Sequence, residues 1–403
     1  MPINRRLNLR TGVSIWEATT KQSVKPIQRL SSYYDVIVIG AGITGAMAAQ
    51  AISDLGLSVR VVDRRSPASG STAASAALIQ WEIDEPLSSL VQKLGTRKAN
   101  RVYRASYSAV QNLRKQIEVQ KLACDMIPRD TCFLAGNKMR AVALQNEVTL
   151  RKKLKLPSKF LSREALKENL GFNGHAAIWS SGSLELNPRE LTMSLLQQCH
   201  QKGVDIAFPL TADDIASTPF GCFVSFENHN PIAAGKVVVA TGYEALFDIP
   251  KHKYKLISTW ALATVKQAEG AIWPGSALIW EASSPYLYFR TTKDRRIIAG
   301  GEDEAFLNPK HRDKLIGENT KVVLAKLKKI LPNIDAKAEF RWAGTFAASP
   351  TGLPCIGPVP DRTNVFAILG AGGNGITFSK IAADLVAQWV IGKTGPLQDL
   401  FAF

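Results

Sequence analysis

The sequence is poor in the residues that build metal and disulfide sites, with five cysteines and five histidines among 403 residues. No C-x-x-C pair and no tight cysteine–histidine group is present, so neither a zinc site nor a disulfide framework is indicated. The cysteines are Cys124, Cys132, Cys199, Cys222 and Cys355. We expect a protein of a reducing, cytoplasmic compartment. The basic start MPINRRLNLR is followed by no apolar stretch, so we predict no signal peptide.

Long apolar runs are also missing. Residues 36–53 carry no charge, but three glycines and several polar side chains interrupt them, so a strand followed by a helix is predicted rather than a membrane span. Acidic residues are outnumbered, 34 against 50 basic ones, which gives a net charge of +16. This charge favours anionic partners, and peripheral membrane contact stays open. The basic runs lack interleaved aromatics, so no nucleic-acid partner is expected.

What the chain does contain is a βαβ pattern near its start. The run Asp35–Ile39 is continuously apolar after its first residue, as expected of a parallel strand buried on both faces. A helical period follows from Ile43 to Leu55, and a second short strand ends at Asp63. Further strand patterns at 236–240 and 365–369 predict that one sheet collects strands from distant parts of the chain.

The turn after the first strand, Gly40-Ala41-Gly42-Ile43-Thr44-Gly45, is a G-x-G-x-x-G between a strand and a helix. This context predicts a dinucleotide site, with pyrophosphate at the helix N-terminus and Asp63 binding the ribose. The pattern fits NAD and FAD alike, while the acid disfavours NADP. A second glycine-rich turn, residues 370–377, also opens a helix, and residues 69–77 are small and hydroxyl-rich. Two such turns are unusual for a simple NAD dehydrogenase.

Taken in order, seven segments resemble the FAD-dependent D-amino-acid oxidase-like oxidoreductases, which include glycine oxidase, sarcosine oxidase and gamma-glutamylputrescine oxidase. The segments are DVIVIGAGITG, GSTAASAALIQWEIDEPL, SLELNPRELTMSLLQQCHQKGVDI, VVVATGY, YLYFRTTKDRRIIAGGEDE, GTFAASPTGLPCIGPVPD and GAGGNGIT. The resemblance implies an α/β fold, in which a Rossmann-like FAD-binding domain interleaves with an α+β substrate domain built on an antiparallel sheet. We expect a leader at 1–32, FAD-binding segments at 33–110, 183–245 and 343–403, and substrate segments at 111–182 and 246–342.

The resemblance also implies which residues bind FAD. Glycines of the first turn would hold the pyrophosphate, hydroxyl residues of the 69–77 loop the flavin ring, and the second turn its pyrimidine edge. The expected set is Gly40, Gly42, Ile43, Thr44, Gly45, Asp63, Arg64, Ser71, Thr72, Ser75, Ala240, Gly242, Leu353, Pro354, Gly372, Gly373, Asn374, Gly375, Ile376 and Thr377. Non-covalent binding is expected, and covalent attachment through Cys355 is the alternative.

Substrate residues transfer poorly from the family. Basic residues that clamp a substrate carboxylate in relatives fall at Phe346, Gly373 and Thr377 here, so an α-amino acid held in the usual way is not expected. Arg290 is the remaining candidate for an anionic anchor, and an exposed strand arginine is its alternative interpretation. Tyr286, Tyr288 and Phe346 complete the candidate pocket.

The function that follows is oxidation of the C–N bond of an amine or modified amino acid, by hydride transfer to flavin N5 and hydrolysis of the imine. Dioxygen or a quinone would take the electrons. Two alternatives remain: a hydroxy-compound dehydrogenase that feeds a quinone, and an FAD module acting on a tRNA-borne amine. A flavin-binding scaffold without turnover is the alternative outside enzymes.

Overall fold

The computed structural model describes residues 6–26, 31–172, 176–249 and 252–403. Its strands, in chain order, are β1 (Arg10–Val13), β2 (Tyr33–Ile39), β3 (Val59–Val62), β4 (Leu78–Ile79), β5 (Ile127–Leu134), β6 (Ser158–Leu161), β7 (Ala177–Glu185), β8 (Asp205–Ala207), β9 (Ala212–Thr218), β10 (Gly221–Phe226), β11 (His229–Gly242), β12 (Lys255–Thr264), β13 (Leu278–Glu281), β14 (Leu287–Thr291), β15 (Ile297–Glu304), β16 (Ala338–Ala348), β17 (Cys355–Pro358) and β18 (Val365–Leu369).

The helices connect these strands and cover the sheets. They are α1 (Ile15–Thr19), α2 (Ile43–Ser53), α3 (Ser71–Ala74), α4 (Leu87–Leu94), α5 (Thr96–Gln120), α6 (Ala141–Lys153), α7 (Arg163–Leu170), α8 (Pro188–Gln201), α9 (Pro309–Lys314), α10 (Ile316–Ile330), α11 (Gly375–Val390) and α12 (Gln398–Phe401). None of the helices in the described ranges has both the length and the apolar character needed to cross a membrane.

One sheet carries the predicted βαβ unit. Its strand order is β17-β18-β11-β2-β3-β8, and the pairs from β18 to β8 are parallel. Successive residues of β2 point to opposite faces. Val36 and Val38 join the core with helix α2, whereas Ile37 and Ile39 join the core on the other side. Burial on both faces is the reason why this strand is continuously apolar.

The other sheet has the strand order β1-β16-β12-β15-β14-β13-β5-β7-β4, with β6 also paired to β7. Its neighbours run antiparallel except for β13 beside β5. Val323 and Leu327 of α10 pack on one face, against Leu262 and Ala299. The first sheet's helical layer meets the opposite face, where Ala263 belongs to the same core as α2.

Part of the leader expected at 1–32 forms regular secondary structure. β1 pairs antiparallel with β16, and Ser14 and Glu17 form a capping box at the start of α1. Such a short strand has no period of its own to detect, because its hydrogen-bond partner β16 lies over 300 residues away in sequence. The rest of that segment partly lies outside the described residues, at 1–5 and 27–30. The domain bounds themselves stay a prediction.

Candidate active site

The turn between β2 and α2 is built around close backbone approaches. Gly40 has a φ of +117°, and a Cβ there would lie 2.3 Å from the carbonyl oxygen of Ala240. A Cβ on Gly45 would lie 1.8 Å from the carbonyl oxygen of Gly40. Only glycine fits either position without moving backbone. The result is a helix that starts directly against the strand, with its N–H groups turned toward the end of the sheet.

Asp63 follows β3 at the same end of the sheet. Its carboxylate accepts hydrogen bonds from the backbone N–H groups of Ala41, at 2.7 Å, and Arg65, at 2.8 Å. Burial raises the pKa of Asp63, and these two donors act in the opposite direction. Arg64 and Arg65 both pair with Glu244 nearby. Asp63, Arg64, Arg65 and Glu244 line a first cavity of about 960 Å³.

The second glycine-rich turn lies beside the first. Thr44 of α2 and Ser379 of α11 share a hydroxyl–hydroxyl hydrogen bond of 2.7 Å, so the first turns of the two helices touch. Asn374 precedes α11, accepts from the backbone N–H of Asp84 and donates to the carbonyl of Glu82. Two turns separated by more than 300 residues of sequence therefore meet.

A second cavity of about 1210 Å³ lies beneath the N-terminus of α11. Thr44, Ser71 and Gly242 line both cavities, so the two spaces meet at the start of α2. Together they run from Asp63, past both helix N-termini, to Asp84. Ser71 lies where they meet, and its buried hydroxyl has no hydrogen-bond partner among the described residues. The glycine cradle, the acid at one end and this unpaired hydroxyl fit a dinucleotide such as FAD.

The far part of the second cavity has an aromatic wall. The rings of Tyr286 and Tyr288 lie 5.8 Å apart, and Phe346, Trp280 and Thr259 line the same space. Burial raises the pKa of both tyrosines, so their hydroxyls stay protonated at neutral pH.

Two acids that sequence reasoning missed lie at this wall. Asp84 lines the second cavity and accepts a 3.2 Å hydrogen bond from the N–H of Gly373. Asp303 lies behind it, and burial raises its pKa to about 6 despite hydrogen bonds with Thr259 and Tyr286. Both acids lie within segments that resemble the family. No local pattern marks them, because the residues around them belong to other parts of the chain.

Most of the predicted cofactor residues line one or both cavities. Those on the linings are Gly40, Gly42, Ile43, Thr44, Asp63, Arg64, Ser71, Thr72, Ser75, Ala240, Gly242, Gly372, Gly373, Asn374, Gly375 and Ile376. The predicted residues behind the linings are Gly45, Leu353, Pro354 and Thr377. Thr377 donates instead to the carbonyl of Gln80, and Leu353 accepts from the hydroxyl of Ser349.

The position of Arg290 contradicts both interpretations made from the sequence, an anionic anchor and an exposed strand arginine. It is 2% exposed and absent from the cavity linings, so it is neither an exposed arginine nor an anchor in the pocket. Its guanidinium donates to the carbonyls of Ala76, Thr291 and Leu186 at 2.7–3.0 Å. The side chain thereby fixes the hydroxyl-rich loop to its own strand, and its Nη1 also lies 3.6 Å from the carboxylate of Glu185.

Cys355 also lies away from both cavities. It is 5% exposed in β17, and burial raises the pKa of its thiol. Thiols in such surroundings are poor nucleophiles, since the thiolate is the reactive form.

Comparisons with known proteins agree with this geometry. The model of a family described as FAD dependent oxidoreductase (DAO) matches residues 35–389. The probable oxidoreductase OrdL of Haemophilus influenzae is 22% identical over 372 residues, covering 89% of this chain and 83% of that protein.

Solved structures show the same fold. L-proline dehydrogenase from P. horikoshii superposes with a TM-score of 0.78 at 20% identity, covering 93% of this chain and 97% of the other. Glycine oxidase from Geobacillus kaustophilus gives a TM-score of 0.74 at 18% identity, with 93% and 99% covered. These matches confirm the predicted fold class.

Proposed function

Because this chain belongs to the DAO family of FAD-dependent oxidoreductases, we propose that it holds FAD non-covalently and oxidises the C–N bond of an amine. The observation that carries the proposal is the second cavity, which adjoins the N-termini of α2 and α11 and has an acidic and aromatic far wall. FAD, when bound, would accept a hydride from the carbon beside a neutral amine nitrogen, leaving an imine for water to hydrolyse.

In this scheme the chain's own residues would bind and orient FAD and the amine. The first cavity would take the adenosine end, with Asp63 on the ribose and the α2 N-terminus on the pyrophosphate. The positive end of the α11 dipole would stabilise negative charge on the flavin. The lining of the second cavity, as far as the structure describes it, holds no histidine, so the reacting amine is expected to bind unprotonated.

The location of Cys355 supports the non-covalent part of the proposal, because a bond to flavin needs a thiol on the cavity wall. Acid precipitation of the purified yellow protein tests it. We expect all the flavin in the supernatant, and flavin that stays with the precipitate would contradict the proposal.

Anaerobic mixing of the holoprotein with a panel of amines, amino acids and hydroxy acids tests the reaction. We expect the flavin to bleach with at least one amine and with no hydroxy acid. Bleaching by 2-hydroxy acids or glycerol phosphate alone would instead establish the dehydrogenase alternative, and bleaching by none would favour a scaffold. Salt-sensitive tRNA binding would support the tRNA alternative. Peroxide formation in air then separates dioxygen from a quinone as acceptor.

A further inference from the structure

The second cavity has a charge opposite to that of the whole chain. The protein carries a net charge of +16. Yet among the described residues that line this cavity there is no lysine, arginine or histidine, whereas the carboxylate of Asp84 is there. The nearby strand arginine, Arg290, is occupied by three carbonyls. A substrate carboxylate would therefore meet an acid and find no positive side chain to pair with.

Asp84 is held firmly in this position. Its backbone N–H donates to Asn374, and its side chain accepts from the N–H of Gly373. A Cβ on Gly373 would lie 2.8 Å from the Asp84 carboxylate, so the absence of a side chain at 373 is what leaves room for the acid. One well-placed N–H leaves most of the acceptor capacity of a carboxylate unused.

A second observation also indicates a ligand that donates hydrogen bonds. Gln80 lines the same cavity and is 7% exposed, and its Oε1 has no hydrogen-bond partner among the described residues. A buried acceptor without a partner is unfavourable by about 1–3 kcal/mol, so a donor is expected to complete it. Aromatic rings, which attract cations through their faces, make up the rest of the wall at Trp280, Tyr286 and Tyr288.

We propose that the substrate is an amine with a second cationic group and no carboxylate, and that Asp84 binds that second group. This inference rests on the proposed amine oxidation and narrows it to di- and polyamine-like compounds. Asp84 is a binding residue in this scheme, since it recognises the distal ammonium while the other nitrogen reacts.

The groups that face Asp84 set its charge. Burial raises the pKa of its carboxyl, the Gly373 N–H lowers it, and Glu85 raises it. Asp303 of β15 and the tyrosines Tyr243 and Tyr286, which lie just beyond the ends of β11 and β14, interact with it electrostatically. None of these neighbours is basic, so a bound ammonium would supply the positive charge that stabilises the ionised acid.

Three four-carbon probes test the proposal on the FAD-loaded protein: 1,4-diaminobutane, n-butylamine and 4-aminobutanoate. They share one primary amine and differ at the far end, which is cationic, neutral or anionic. The concentration dependence of anaerobic flavin reduction gives an apparent dissociation constant and a limiting rate for each. We expect the diamine to bind ~10-fold or more tightly than n-butylamine, as a hydrogen bond between charged groups implies, and the anionic probe to bind most weakly.

The variant Asp84→Asn should remove this difference in affinity between the diamine and n-butylamine. The dissociation constant of the diamine should rise ~10- to ~100-fold, and that of n-butylamine should not change. Glu85→Gln is the matched control, because Glu85 is the next residue but pairs with Lys93 and Ser89 away from the cavity lining. It should leave the constants of n-butylamine and 4-aminobutanoate unchanged and should not weaken binding of the diamine, because the lost charge only lowers the pKa of Asp84. Flavin content shows whether each variant is folded.

The outcomes separate the two proposals. If 4-aminobutanoate reduces the flavin more efficiently than the diamine, or if Asp84→Asn leaves the order intact, the inference is overturned while amine oxidation stands. If no amine reduces the flavin, the proposed function fails. tert-Butylammonium then still tests cation binding, since it donates N–H hydrogen bonds but has no hydrogen on the carbon beside its nitrogen to transfer: an Asp84-dependent change of the flavin spectrum supports the site, and no change refutes it.

Discussion

Replacing Gly45 by alanine tests the geometry on which the cofactor site depends. The new Cβ would lie 1.8 Å from the carbonyl oxygen of Gly40. Non-bonded heavy atoms settle at about 3.5 Å, so α2 and the turn must separate by about 1.7 Å. Overpacking of this kind typically destabilises a fold by about 1–3 kcal/mol. The displaced helix would also lose N–H contacts to a pyrophosphate, each worth about 1.5–3 kcal/mol when one partner is charged.

Loss of even one such contact weakens FAD binding ~10- to ~100-fold. Reconstitution of the apoprotein with FAD, followed by quenching of flavin fluorescence, gives the dissociation constant. Gly317→Ala is the control, because Gly317 is exposed in α10 and a Cβ there would meet nothing within 4 Å. That variant should bind FAD normally and gain up to about 1 kcal/mol in stability from helix propensity. Wild-type FAD affinity in Gly45→Ala would refute the reasoning.

The remaining predictions concern three other places. Arg151→Met should lower the free energy of unfolding in urea by about 3–5 kcal/mol, because it leaves the buried Glu82 and Glu147 without their cation. The control Arg114→Met breaks an exposed ion pair and should change the free energy of unfolding by less than about 1 kcal/mol. Cys355→Ala should load FAD as the wild type does, and loss of flavin retention after acid treatment only in this variant would show a covalent link. tert-Butylammonium affinity should rise with pH through the raised pKa of Asp84, because the acid binds the cation only when ionised; the Asp84→Asn variant should show a flat profile over the same range.

Local patterns predict the backbone of the turn at the first cavity. The apolar run of β2, the glycines after it and Asp63 are neighbours in sequence, and each constrains the backbone within a few residues. The second glycine-rich turn was predictable for the same reason. That the two turns meet required the family resemblance, since the Thr44–Ser379 contact spans 335 positions.

The far wall of the second cavity depends on contacts that no local pattern records. Asp84 follows the hydroxyl-rich loop in sequence, but its hydrogen-bond donor Gly373 is 289 positions away. The sequence does not indicate that Arg290 is buried, because a strand arginine is usually exposed. It is buried here because carbonyls from the 69–77 loop and from Leu186 satisfy its donors. Composition gives the number of basic residues in a chain, but not how many of them already donate hydrogen bonds to backbone carbonyls.

The positive charge of this chain therefore does not decide what the cavity binds. At contact, in surroundings of low effective dielectric, a single carboxylate outweighs distant charges, because the interaction falls with distance and salt screens it beyond about 8–10 Å. The net charge of +16 acts instead on the approach of a ligand from solution. A dication would approach against this field and then bind to Asp84, so added salt should speed its encounter. An anionic substrate would show the reverse, and the sign of the salt effect on the second-order rate of flavin reduction distinguishes the two.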